Sequence, residues 1–133
     1  MSQQNVELVR RAYEQFSDTG RFVADAATPD FVWDMSNFHA WPEQQLYEGV
    51  AAAEGFLRDW AAAWDDWELE VGELLDAGDK VVALVHQRGR SRAAGMSVEM
   101  SFAQVWTMCE GKQARMEMYS DPNEALAAVG LAE

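Results

Sequence analysis

The chain has 133 residues and a formal net charge of −13, from 23 Asp and Glu against 10 Lys and Arg. That length fits one domain over residues 1–133, because single domains run to roughly 100–200 residues. A hydrophobic content of 49%, with six Trp and six Phe, excludes a disordered chain, and so acidic a surface repels phosphate, which argues against nucleic acid and anionic membranes as partners.

Cys109 is the single cysteine and His39 and His86 are the two histidines. An internal disulfide is therefore ruled out, and no Cys/His cluster is available for a metal. The opening MSQQNVELVRR has no apolar signal run, and no window nears the roughly 20 apolar residues of a membrane span. A cytoplasmic location is the expectation.

Residues 5–17 predict a helix, with Val6, Val9, Tyr13 and Phe16 at spacings of three and four, Asn5 as N-cap and Gly20 as terminator. A second short helix is expected over Arg21–Ala27, stopped by Thr28-Pro29. Phe31–Met35 reads as a strand, and Ser36–Gly49 as a loop with room for one short strand. From Val50 to Trp64, Phe56, Trp60 and Trp64 recur every four residues and predict a helix.

Sheet signals dominate thereafter. Trp67–Leu75 alternates, Asp76–Asp79 is a turn, and Lys80–Arg88 carries the β-rich run Val81–Val85. Ser97–Met108 and Lys112–Tyr119 are strands joined at Glu110-Gly111, and Asn123–Ala128 is a short helix begun by Asp121-Pro122. The fold class is α+β: a long antiparallel sheet with the helices on one face.

Four stretches, VRRAYEQFSDTGR, PDFVWDM, YEGVAAAEGFLRDW and VWTMCEGKQARMEMYSDPNEALAAVGL, resemble the nuclear transport factor 2-like superfamily. Within it they are similar to the SnoaL-like polyketide cyclases. The resemblance implies a cone in which a curved antiparallel sheet wraps around the N-terminal helices and encloses a pocket. It also implies a small hydrophobic molecule as partner, no organic cofactor or metal, and a homodimer. Such folds host cyclases, isomerases, dehydratases and plain binders, so the fold does not select the chemistry.

Comparison with isomerase-like relatives implies that Val82, Leu84, His86 and Arg88 face the pocket, with Met116, Met118 and Ser120 on the last strand. Ala103 and Val105 are inferred to face it from the strand between. His86 reads either as an acid or base at neutral pH or as a strand-end structural residue. Asp34 falls where isomerase-like members hold a general base. Under Trp33 and Met35 its pKa would rise, and the alternative is a residue closing the strand. Tyr13 matches a phenol donor position or is simply packed, and Arg88 either steadies an enolate or pairs with a carboxylate. Trp60 and Trp64 read as a core stripe or as stacking surface for a flat ligand. His39 and Trp41 are lid candidates, and Asp121 is a family position or a helix cap. Two departures stand out: Ala103 replaces an acidic donor, and Met118 stands where epoxide hydrolase-like members have Asp.

The expected activity is therefore proton abstraction beside a carbonyl, with Asp34 or His86 as base and Tyr13 or Arg88 stabilising the enolate. The rival is a non-catalytic ligand-binding or assembly domain. Convergence of Asp34, His86 and Tyr13 on one enclosed cavity separates the two.

Overall fold

The computed structural model describes residues 2–19, 27–38 and 46–131. The elements are α1 (Ser2–Thr19), β1 (Ala27–Asn37), β2 (Leu46–Glu48), α2 (Val50–Ala62), β3 (Trp64–Ala77), β4 (Lys80–Ser91), β5 (Ser97–Cys109), β6 (Lys112–Tyr119) and α3 (Pro122–Ala128). The helix expected over Arg21–Ala27 lies outside the described residues, save Ala27, which opens β1. The lid candidates His39 and Trp41 lie outside them as well.

Six strands form one curved, unclosed sheet in the order β2-β1-β6-β5-β4-β3. All neighbours are antiparallel except β1 and β6, which run parallel. The expected antiparallel sheet therefore holds for every neighbouring pair but that one. Residues 38–111 separate β1 from β6, so no hairpin dictates their relative direction.

The β3–β4 hairpin turns on Gly78-Asp79, with Gly78 at φ 82° and its N–H held by Asp76 Oδ1 at 2.9 Å. The β5–β6 hairpin turns on Glu110 and Gly111, at φ 50° and 81°, the two left-handed positions of a type I′ turn. Asn5, expected as an N-cap, lies inside α1 and donates from Nδ2 to the Gly78 carbonyl at 3.2 Å, tying the helix to the first hairpin.

β3 carries the curvature. Between Asp65 and Glu68, and again between Val71 and Leu74, it advances three residues while β4 advances two. Asp66 sits at φ 55° in the first of these bulges. Each extra residue bends the strand and re-aims its side chains. Gly89 lies opposite this bulge, where a Cβ would stand 3.3 Å from the Asp65 carbonyl oxygen. Trp64 was expected to end a helix. Instead α2 ends at Ala62, because Trp64 pairs with Ser91 and the Ala63 carbonyl accepts from Arg92 N–H at 3.1 Å.

Two apolar clusters sit on opposite faces. On the concave face, Val6 and Val9 of α1 and Ala53, Phe56 and Trp60 of α2 pack on Phe31, Trp33, Val81, Ala83, Val85, Phe102 and Trp106. On the convex face, Ala125, Leu126 and Val129 of the C-terminal segment cover Val82, Leu84, Ala103, Val105 and Tyr119. The helices therefore occupy both faces, not one. The apolar second face of β4 and β5 demands cover, and α3 supplies it.

Candidate functional site

The concave face holds an apolar cavity of about 60 Å³, partly open to solvent and well above the roughly 10–15 Å³ that a single water needs. α1 contributes Ala12, Tyr13 and Phe16, and α2 contributes Phe56, Leu57 and Trp60. The sheet contributes Trp33, Trp67, Leu69, Gln87, Phe102, Gln104, Trp106, Gln113 and Met118. The aromatic rings brace one another: Tyr13 stands edge-on to Trp106 at 5.9 Å, Phe16 edge-on to Trp67 at 6.0 Å, and Trp33 lies 5.3 Å from Phe56. Such edge-on and tilted contacts are the favoured geometries of aromatic pairs and add to their packing.

Its polarity comes from three glutamines, one phenol and indole N–H groups. Tyr13 donates to Gln104 Oε1 and accepts from Trp106 Nε1 at 2.9 Å. Burial pushes the Tyr13 phenol well above its ordinary pKa, and the Trp106 hydrogen bond offsets only part of that. Tyr13 is therefore a neutral donor already engaged. Gln87 Oε1 accepts from both Trp60 Nε1 and Trp67 Nε1 at 3.0 Å each. Gln87 Nε2 and both polar atoms of Gln113 have no partner among the described residues.

The sequence-derived candidates divide sharply. Tyr13, Trp33, Trp60 and Met118 line the cavity, and Met116 lies buried on the same face between Trp33 and Trp106. Trp64 packs against Trp60 at 6.1 Å without lining the cavity. Ser120 lies just past β6, its hydroxyl 3.4 Å from the Asn37 carbonyl.

Leu84 and Val105, expected in the pocket, lie on the convex face beneath α3. His86 and Arg88 share that face and point to solvent. His86 stands between Ser101 Oγ and Glu99 Oε1, 3.0 Å from each, and Arg88 Nε donates to Glu68 Oε1 at 2.6 Å. The inward parity of β4 is Val81, Ala83, Val85 and Gln87, one residue out of step with the expectation. A one-residue slip moves every side chain to the other face.

Asp34 also turns away from the cavity. It is buried, accepts from Ser36 N–H at 2.8 Å and Ser36 Oγ at 2.6 Å, and pairs with Arg115 at 2.5 Å. Burial alone would raise its pKa, but the two Ser36 hydrogen bonds and the Arg115 guanidinium outweigh it and hold the carboxyl below its usual value. The rise expected for a base under an apolar ceiling is thus reversed. Asp121 caps α3, accepting from Asn123 N–H at 2.9 Å.

Among the described residues no group of three His, Cys, Asp or Glu side chains is placed to hold a metal, and no helix is long and apolar enough to cross a membrane. Gln87, Gln104 and Gln113 were missed in the sequence. Their signal was available: Gln87 continues the parity of Val81, Ala83 and Val85, whereas His86 and Arg88 continue that of Val82 and Leu84.

The model of the SnoaL-like domain matches residues 9–116. The chain belongs to the SnoaL-like family. Solved structures of the same fold include a putative SnoaL-like polyketide cyclase from Jannaschia sp. CCS1, 22% identical with a TM-score of 0.76 over 99% of this chain and 95% of that one. An NTF2-like protein of unknown function from Burkholderia pseudomallei is 23% identical, with a TM-score of 0.75 over 95% and 97%. TerC, co-crystallised with polyporic acid, is 23% identical with a TM-score of 0.72 over 96% and 98%. At these identities the likeness establishes the fold of this SnoaL-like domain. No curated protein matches its sequence.

Proposed function

We propose that this SnoaL-like domain binds a small, ring-containing, uncharged molecule in its concave cavity, and that binding rather than acid–base turnover is its function. One observation carries the reading. Tyr13 is the single titratable side chain among the described residues that line the cavity, and its hydroxyl is already committed to Gln104 and Trp106. Proton abstraction beside a carbonyl needs a base within hydrogen-bond reach of the substrate. Asp34 and His86, the candidates for that task, turn to the opposite face of the sheet, and Arg88 with them. The aromatic walls suit a flat apolar ligand, and the co-crystal of TerC with polyporic acid supports small-molecule occupancy as a use of this fold.

The test is a titration with N-phenyl-1-naphthylamine, a neutral fluorophore that brightens in apolar surroundings. Saturable one-to-one binding is expected in the wild type, and loss of it in Ala12→Phe, which fills the cavity from α1. Absence of saturable binding, or unchanged affinity in a folded Ala12→Phe variant, rejects the reading.

A further inference from the structure

The carboxamide of Gln87 is the one polar group of the cavity whose orientation and vacancy are both defined. Indole N–H groups only donate, so the atom that receives Trp60 and Trp67 at 3.0 Å each is the amide oxygen. Rotating the amide would set its NH2 against both indoles. The oxygen is thereby saturated, while Nε2 keeps two N–H donors with no partner among the described residues, on a side chain only 1% exposed. A buried donor left unpaired is destabilising, because it has given up its hydrogen bonds to water without replacing them. Gln104 differs, since its oxygen receives Tyr13 and its Nε2 reaches Met118 Sδ at 3.8 Å. Gln113 has neither end engaged, so nothing selects which end it would present.

We propose that Gln87 is the specificity-determining contact of the cavity, donating from Nε2 to a carbonyl oxygen of a neutral ring-containing ligand. This rests on the binding function proposed above. A carbonyl accepts without bringing a donor of its own, which matches a group that has only N–H to offer. A carboxylate would enter a cavity with no cationic side chain among its described lining residues, on a chain of net charge −13. Trp60 and Trp67 act as positioning residues, locking the amide before the ligand arrives.

A matched pair of probes tests this: 1-tetralone, and tetralin, which lacks the carbonyl. Binding is followed in 1H–15N spectra through the indole and glutamine side-chain signals. In the wild type, both probes should move the cavity indoles, and only 1-tetralone should move the Gln87 NH2 pair. In Gln87→Met, affinity for 1-tetralone should fall at least tenfold (about 1.4 kcal/mol) while that for tetralin stays within about threefold. Equal weakening of both probes, or no weakening of 1-tetralone, overturns the assignment of Gln87 and leaves the binding function standing. Failure of either probe to move the indoles overturns the binding function and the assignment with it. Should Gln87→Met not fold, the wild-type spectra decide alone: a Gln87 NH2 pair that tetralin moves as far as 1-tetralone rejects the carbonyl contact.

Discussion

The two faces of β4 and β5 are built from alternate residues of the same strands, yet they do opposite work. The concave face presents Val81, Ala83, Val85 and Gln87 beside Phe102, Gln104 and Trp106. Every polar group there is neutral. The convex face is apolar only where α3 covers it, at Val82, Leu84, Ala103 and Val105, and turns ionic where cover stops. There His86 meets Glu99, and Arg88 meets Glu68. Charge is kept where water can solvate it, and amides are used where it cannot, because burying an ion costs far more than burying a hydrogen-bonded amide. Asp34, His86 and Arg88, which drew attention in the sequence, lie on the convex side of this division, whereas Tyr13 lines the cavity. The cavity belongs to the other.

The comparison can be broken most forcefully from the inside. Trp106 is 4% exposed and touches Tyr13, Phe31 and Trp33, so Trp106→Ala should destabilise the fold by about 3–5 kcal/mol in urea unfolding. A loss below 1 kcal/mol would mean that the aromatic wall does not hold the fold together.

Asp34→Asn should cost about 1–3 kcal/mol at pH 7, since it removes the charge that Arg115 and Ser36 stabilise. The folded pKa of Asp34 lies below its unfolded value. Its contribution is therefore complete above the unfolded pKa of about 3.9 and disappears as pH falls through the folded pKa. Melting temperatures of wild type and variant should converge on acidification from pH 7 toward pH 3. A gap that widens in acid would place Asp34 in the raised, base-like state instead.

The smallest effect is expected on the convex rim. His86→Ala should change stability by no more than about 0.5 kcal/mol, because a solvent-facing contact with Glu99 contributes little. It should also leave N-phenyl-1-naphthylamine binding intact. Loss of that binding would show that His86 reaches the ligand, and the separation of the two faces would fail.

Much of the architecture was legible beforehand. Val6, Val9, Tyr13 and Phe16 carry helical spacing strong enough to place α1, and Gly111 places its hairpin because glycine takes a left-handed turn position without steric cost. Asp121-Pro122 marks the start of α3 by cap chemistry. The end of α2 was less legible, since Trp64 continues the four-residue rhythm of Phe56 and Trp60 but is drawn into β3 by pairing with Ser91.

What the sequence by itself determined is most of the described elements, the family and the aromatic character of the interior, because these follow from local spacing and composition. What only the tertiary structure decided is which side of each strand meets the cavity. Val81–Val85 is apolar on both faces, so a period of two defines two faces without saying which is concave. That choice was made by α3 docking on Val82 and Leu84, and by the bulges that bend β3 around the other face.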